Sequence, residues 1–393
     1  MLKRLAILTT HPIQYHGAWF RRLASELDLE VFYCHNATAK EQAEAGFGVE
    51  FDWDVSLLEG YRHRFLRNVA RQPGIAGFGG LDTPEIKEII ARESFDAVMI
   101  NGWHYKSAWQ AMRGCWNSGT PVMVRSDSHL QTHRPLAKRI AKRPFYSWFV
   151  SKLDACLPVG KWSSEYFLHY GASPERVFIV PHVVDTDYFE RESRRLTPQR
   201  DALRSRWGLS EDAVIFLFVG KFIEKKRPLD FVNAIKEANA WLDGTRAMGL
   251  MVGDGPLRGL CQDVVRRHKL PIEFAGFLNQ SQIAEAYVSA DALVLPSDGG
   301  ETWGLVVNEA MSCGLPCFVS DQVGCGPDMI VQNETGALFP LGNTEMMGAL
   351  LSEFALDRRR TISMGERARK HSTKYSVEVA VHRTLRAVES VSR

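Results

Sequence analysis

The strongest constraint on this chain is a rhythm that runs twice through it. Apolar runs of strand length are followed by a loop and then by helix-like sequence. In the first half the runs are Leu5–Leu8, Glu30–Cys34, Ala97–Ile100, Pro121–Arg125, Ala155–Val159 and Val177–Val180, with helical patterns such as Arg21 to Leu27 and Glu85 to Ala91. The second half restarts with Val214–Val219, Gly249–Val252, Glu273–Ala275, Ala292–Leu295 and Pro316–Val319. Strands alternating with helices, and apolar throughout, predict parallel sheets covered on both faces. The expected fold class is therefore α/β, with two doubly wound domains.

At 393 residues the chain is long enough for two full cores, since a domain takes roughly 150 residues. The charged stretch Glu190 to Arg206 is nearly free of large apolar residues and is the expected linker. The expected division is residues 1–192, then 207–375. The closing segment Tyr375 to Val391 has Val377, Val379, Val381, Leu385 and Val388 at a spacing that suits an amphipathic helix, whose packing partner cannot be read from spacing. In doubly wound sheets ligands bind outside the carboxyl ends of the strands, so a cleft served by both domains is the expected site.

Composition excludes several classes. The chain is 45% hydrophobic and 24% charged, which is not the composition of a disordered or fibrous protein. A net charge of +2 gives no warrant for a nucleic-acid partner. Seven scattered cysteines do not form a disulfide framework, and Cys313 and Cys317 have no second pair for a metal, which points to a reducing compartment. No segment has the roughly 20 apolar residues of a membrane span, and the first residues lack the apolar core of a signal peptide. A cytoplasmic location is expected.

The densest stretch is Leu293–Asp321, LVLPSDGGETWGLVVNEAMSCGLPCFVSD. A buried strand leads into a glycine-rich loop, and a helix is expected to start near Thr302–Gly304. Free backbone N–H groups at that start suit a diphosphate. Glu301 and Glu309, if both helical, would lie about 80° apart around the axis. A carboxylate two turns down could then accept from a ribose diol. Gly253 and Gly255 follow a strand, with Glu273 further on, and so imitate a dinucleotide fingerprint. Arg258 in the third glycine position and Pro256 inside the turn argue against that reading.

The Leu293–Asp321 stretch resembles the donor-binding segment of family 4 glycosyltransferases, retaining enzymes of GT-B fold. Their signature places glutamates with seven residues between them, and Glu301, Gly304, Leu305, Glu309, Ala310, Gly314 and Pro316 match it. The resemblance extends over nearly the whole chain. Gly220, Lys221 and Lys226 resemble the family's loop for the donor diphosphate, with Lys221 in place of the usual arginine. Gly253 and Gly255 resemble its Gly-Asp-Gly-Pro segment, and Phe277 and Leu278 its nucleobase segment.

What the resemblance implies is specific. The fold would be GT-B, two Rossmann-like domains facing a central cleft, with the helix at about 376–393 crossing back to the first domain. The second domain would hold a nucleotide-sugar, with Glu301, Thr302, Trp303, Gly304 and Leu305 beside the sugar and phosphate and Glu309 on the ribose. Lys226 and Lys221 would neutralise the leaving diphosphate, and no metal is expected. The first domain would hold the acceptor. Its loop His11 to Gly17 offers His16 and Gly17 to the donor phosphates and His11 to the acceptor side, with Trp103 and His104. Where the family carries a histidine near the donor sugar, Asp127 lines up, and His129 could substitute.

The implied activity is transfer of a sugar to a glycan, glycolipid or other hydroxyl acceptor, in cell-surface polysaccharide or lipopolysaccharide assembly. A nucleotide-sugar epimerase or hydrolase, or a non-catalytic transferase-like binding protein, are the alternatives. Arg134, Lys138, Arg139, Lys142, Arg143 and Lys152, among Phe145, Tyr146, Trp148 and Phe149, offer a candidate contact with an anionic membrane surface, set against a packed helix with a solvated basic face.

Overall fold

A computed structural model of the chain describes residues 2–38, 41, 43, 48–131, 136–243 and 246–392, without the side chains of Leu136, Lys138, Arg139 and Arg358. The backbone forms two units: residues 1–37, 56–183 and 377–393 in one, residues 38–55 and 184–376 in the other.

The first unit carries β1 (Arg4–Thr9), α1 (Gln14–Ala24), β2 (Asp28–Tyr33), β3 (Arg62–Phe65), α2 (Ile86–Glu93), β4 (Ala97–Asn101), α3 (Lys106–Ser118), β5 (Val122–Ser126), α4 (Leu136–Ser151), β6 (Ala155–Pro158) and α5 (Lys161–His169). Its sheet runs β3-β2-β1-β4-β5-β6, and the six strands are parallel. Alternate residues feed two cores. Ala6 and Leu8 of β1 face Phe32, Val98 and Ile100 on one side, while Leu5 and Ile7 join Trp19, Phe20 and Met99 on the other. This double burial is why these strands read as unbroken apolar runs.

The second unit carries α6 (Thr186–Leu196), α7 (Arg200–Arg206), β7 (Val214–Val219), α8 (Pro228–Trp241), β8 (Ala247–Val252), α9 (Arg258–His268), β9 (Ile272–Gly276), α10 (Ile283–Ser289), β10 (Ala292–Leu295), α11 (Leu305–Ser312), β11 (Cys317–Ser320), α12 (Gly326–Met329), β12 (Gly336–Phe339), α13 (Thr344–Ala355) and α14 (Arg358–Ser372). Its sheet order is β12-β11-β10-β7-β8-β9, again parallel. The last helix, α15 (Val377–Val391), returns to the first unit. There Ala380, Val381, Ala387 and Val388 pack with the α1 residues Trp19, Phe20 and Leu23.

The structure departs from expectation in several places. Residues 177–180 are not a strand, and only Val177 bridges to Cys156. The strands β3 and β12 carry no apolar run of strand length: the residues of RHRF are exposed, and GALF is short and starts on glycine. The division falls at Val183, not at residue 192, and residues 38–55 go with the second unit.

The expected linker is two helices and a 3₁₀ turn. Phe189, Leu196 and Leu203, seven apart, are buried, and Leu196 and Leu203 pack on Ala284 and Val288. The buried Arg204 is paired with Asp291 at 2.7 Å. All seven cysteines are free. Among the described residues no helix is long and apolar enough to cross a membrane.

Candidate functional site

The carboxyl ends of β7, β8 and β10 are adjacent in the second sheet, and their loops are tied together. The loop after β7 turns through a 3₁₀ segment, Glu224–Lys226. Asp298 N, in the loop after β10, donates to Lys225 O at 2.8 Å, and Lys225 Nζ donates back to Gly300 O at 3.3 Å. The loop after β8 crosses the loop after β7 so closely that a Cβ on Gly253 would lie 2.0 Å from Gly220 O. With φ at +125°, that position admits only glycine.

Lys226 and Glu301 meet in this corner. The ammonium of Lys226 is ion-paired with Glu301 Oε2, and each side chain is only 12% exposed. The stem of Lys226 lies over Gly220. Burial alone would raise the Glu301 carboxyl, but the charges of Lys226, Lys225 and Lys221 outweigh it and hold the group below its ordinary value. Burial lowers Lys221 to about 8, and its neighbours Lys225 and Lys226 push the same way. Three lysines around one buried carboxylate leave a surplus of positive charge, the electrostatics of an oxyanion site.

Helix α11 begins at Leu305, with Gly304 as its N-cap at φ +103°. Glu301 therefore sits in the loop before the helix and shares no helical face with Glu309. Its backbone carbonyl accepts from Gly324 N at 2.9 Å, and Trp303 O accepts from Cys325 N at 2.9 Å, which fixes the loop against its neighbour. Trp303 itself is buried and donates Nε1 to Asn308 Oδ1 at 2.9 Å, so it supports the loop from beneath. Thr302 is half-buried beside it.

Glu309 departs most from expectation. It is 3% exposed and accepts from the Tyr287 hydroxyl at 2.5 Å. Burial pushes its carboxyl up to about 7 against the pull of that hydrogen bond. Its carboxyl is covered by the Tyr287 side chain and is not open to solvent. The helix rotation places it against α10, where sequence spacing alone had no partner to register.

Residues 48–54 supply contacts that the sequence reading missed. Phe51 packs on Phe277, ring centroids 4.4 Å apart, and on Trp53 at 4.9 Å. Asn279 Nδ2 donates to Asp52 O at 2.8 Å, and Ser281 N donates to Asp54 Oδ2 at 3.2 Å. Gly48 lies against Gly255, where a Cβ would meet Gly255 N at 3.1 Å. The strap therefore covers the segment containing Phe277 and Leu278. The run Phe-Asp-Trp-Asp was its available signal.

The first unit distributes its candidates differently. Helix α1 starts at Gln14, so His16 and Gly17 belong to its first turns and not to the preceding loop. Gly17 is buried against the carbonyls of Ser56 and Leu57. His11, after β1, has Nδ1 3.0 Å from Thr10 Oγ1. Trp103 is a core residue among Phe149, Tyr166 and Phe167, which corrects its expected place on the acceptor side. His104 is exposed. After β5, Asp127 is partly exposed, whereas His129 is buried with its ring 5.6 Å from Trp162. Of those two, Asp127 is the accessible group.

With this geometry in place, comparisons give the class. Residues 18–188 match the family model "Glycosyltransferase Family 4", and residues 199–371 match "Glycosyl transferases group 1". The chain belongs to the family 4, group 1 glycosyltransferases, and its fold is GT-B.

A relative from Bacillus anthracis, an N-acetyl-alpha-D-glucosaminyl L-malate synthase, is 31% identical over 183 residues, 47% of this chain and 45% of that protein. The chain spans about half the length of the curated relatives it matches. A glycosyltransferase of Rickettsia africae superposes with a TM-score of 0.76 at 16% identity, over 99% of this chain and 98% of the other. The Anabaena protein HepE, solved with UDP-glucose, gives 0.70 at 13% identity over 99% and 100%.

Proposed function

We propose that this protein transfers a sugar, with retention, from a nucleoside-diphosphate sugar to a hydroxyl acceptor. The observation that carries the reading is the Lys226–Glu301 pair beneath the crossed loops at the carboxyl ends of β7, β8 and β10. Lys226 and Lys221 neutralise the diphosphate as the bond from its oxygen to the sugar C1 breaks. The first backbone N–H groups of α11 face the same charge. The acceptor oxygen bonds to C1 on the face the diphosphate leaves, and its proton passes to the departing phosphate oxygen. Little separate base is needed, which accommodates Asp127 where relatives carry histidine. With two lysines and a helix start as counter-charge, the transfer runs without a metal and is insensitive to chelator.

HepE was solved with UDP-glucose, which favours UDP as the donor's nucleotide. The acceptor belongs to cell-surface glycan or glycolipid assembly at the inner face of the membrane. Helix α4 supports that placement. Ile140, Phe145 and Trp148 are 64%, 48% and 49% exposed, beside the exposed Lys142, Arg143 and Lys152. Arg134 and the side chains of Lys138 and Arg139 lie outside the described residues.

The test is a product assay. Purified protein is given UDP-sugars with and without a pool of lipid-linked and soluble acceptors. Acceptor-dependent release of UDP with an axial product linkage supports the reading. Free sugar or an epimer released without acceptor would make it the hydrolase or epimerase, and no turnover with bound nucleotide would make it a binding protein.

A further inference from the structure

The first unit buries a guanidinium that has no carboxylate ion-pair partner among the described residues. Arg125, the penultimate residue of β5, is 5% exposed. Its Nε donates to Val180 O at 3.2 Å and its Nη2 to Pro181 O at 2.9 Å, with His182 Nδ1 3.3 Å from Nη2. The guanidinium carbon lies over the Trp19 ring, 4.9 Å from its centroid. Among the described residues no ion pair to Arg125 forms, although the charge of Asp127 reaches it.

Two imidazoles, His16 and His182, lie close to this cation. The Nδ1 of His16 is buried and has no hydrogen-bond partner, and its ring packs on Phe20 at 5.2 Å and Trp19 at 6.0 Å. Burial, then the charge of Arg125, then His11, lower the His16 imidazole to about 3. Burial and the same guanidinium, with His16, hold His182 well below its ordinary range. Burying a cation without a counter-ion costs several kcal/mol in general. Here the two nearest imidazoles stay neutral, with hydrogen-bonding capacity to spare at His16. The cluster stands at the carboxyl ends of β1 and β5, where a doubly wound sheet receives ligands.

We propose that Arg125, His16 and His182 form an oxyanion-binding subsite that receives a phosphate or carboxylate group of the substrate held by the first unit. The proposal rests on the transferase reading and deepens it: the acceptor is anionic. A bound oxyanion would give Arg125 its missing counter-charge and accept from His16. Both imidazoles would then bind a proton more readily.

The experiment is histidine-selective NMR of the full chain, titrated with inorganic phosphate and, separately, with succinate. The expected result is saturable movement of the His16 and His182 resonances, with the His16 titration midpoint rising in the presence of anion. Arg125→Gln should weaken phosphate binding roughly ten- to hundredfold, the value of a charge-assisted hydrogen bond. Arg125 also ties Val180 and Pro181, so His16→Asn, which leaves those ties intact, is the second variant and should weaken it as well.

UDP is added in a further arm. If UDP displaces the phosphate, the subsite belongs to the donor's diphosphate, and the anionic acceptor is overturned. If UDP binds without displacing it, the acceptor assignment stands. Resonances unmoved by either anion, in protein whose melting point UDP still raises, overturn the subsite and leave the transferase reading intact. Failure of UDP as well would sink that reading too.

Discussion

Lys226 and Glu301 form a buried ion pair across two loops that the sheet brings together, 75 residues apart in sequence. Each compensates the charge of the other. On the proposed function, a diphosphate entering this corner would compete with Glu301 for the ammonium and free Glu301 to meet the sugar hydroxyls. The pair would then hold the charge used by the leaving group without leaving it uncompensated in a partly dry site.

Replacing Lys226 tests that arrangement. Lys226→Ala is expected to lower kcat about a hundred- to a thousandfold, the usual loss of roughly 3–4 kcal/mol when one oxyanion donor is removed. It also leaves Glu301 buried with less counter-charge, so stability near neutral pH should fall modestly. Glu301→Gln should lower kcat and also cost stability, because it leaves the Lys226 ammonium buried without its counter-charge. Steady-state kinetics and thermal unfolding on both variants give the readout, and near-normal turnover in Lys226→Ala would remove the lysine from the mechanism.

Lys221 supplies a pH dependence with a definite sign. Burial lowers it to about 8, so it is charged below that pH and increasingly neutral above it. A diphosphate binds the charged form better. Affinity for UDP should therefore fall as pH rises through about 8, whereas Lys221→Arg, always charged, should keep its affinity across that range. Calorimetric titration at several pH values checks both.

Glu309 makes a stability prediction. Burial raises its carboxyl from 4.5 to about 7 in the folded chain. The folded state holds this proton more tightly than the unfolded state does. The stabilisation is complete below about pH 4.5 and is lost as pH rises through 7, on the order of 3 kcal/mol in all. Glu309→Gln keeps an acceptor for the Tyr287 hydroxyl and carries no charge. Its unfolding free energy, compared with wild type by denaturant titration, should gain with rising pH between those values. A constant difference across the range would contradict the raised carboxyl.

Helix α4 gives a surface prediction. Phe145→Ser with Trp148→Ser should reduce binding to vesicles of anionic lipid several-fold while leaving soluble-acceptor turnover unchanged. Sedimentation with anionic and neutral vesicles separates the effect from general stickiness. Equal binding by the double variant would confine α4 to a structural role.

Much of this was legible in the chain. The strands β7 and β10 coincide with their apolar runs, because central parallel strands are buried on both faces and advertise themselves. The edge strands β3 and β12 did not, because an edge needs less apolar content and RHRF reads as surface. The Glu190–Arg206 stretch misled because its charges are spent on partners. Arg200 and Arg204 pair with Asp291 and Arg206 with Glu285, which leaves Phe189, Leu196 and Leu203 to fold it as helix.

Residue types at fixed spacing single out Lys226, Glu301 and Gly253, and the fold brings Lys226 to Glu301 and Gly253 to the loop carrying Gly220. What spacing does not supply is burial. Glu309 and Trp103 are both covered by side chains distant in sequence. The Phe51–Phe277 contact joins residues 226 positions apart, which no local pattern encodes.

The most direct test of the central claim is calorimetric titration of the full chain with UDP, GDP, ADP and dTDP, repeated with Lys226→Ala. The account predicts one site per chain for one of these nucleotides, weakened at least about tenfold in the variant, as loss of a charge-assisted contact requires. Binding of none of them, or equal binding by Lys226→Ala, would contradict the assignment of the crossed-loop corner as the donor site.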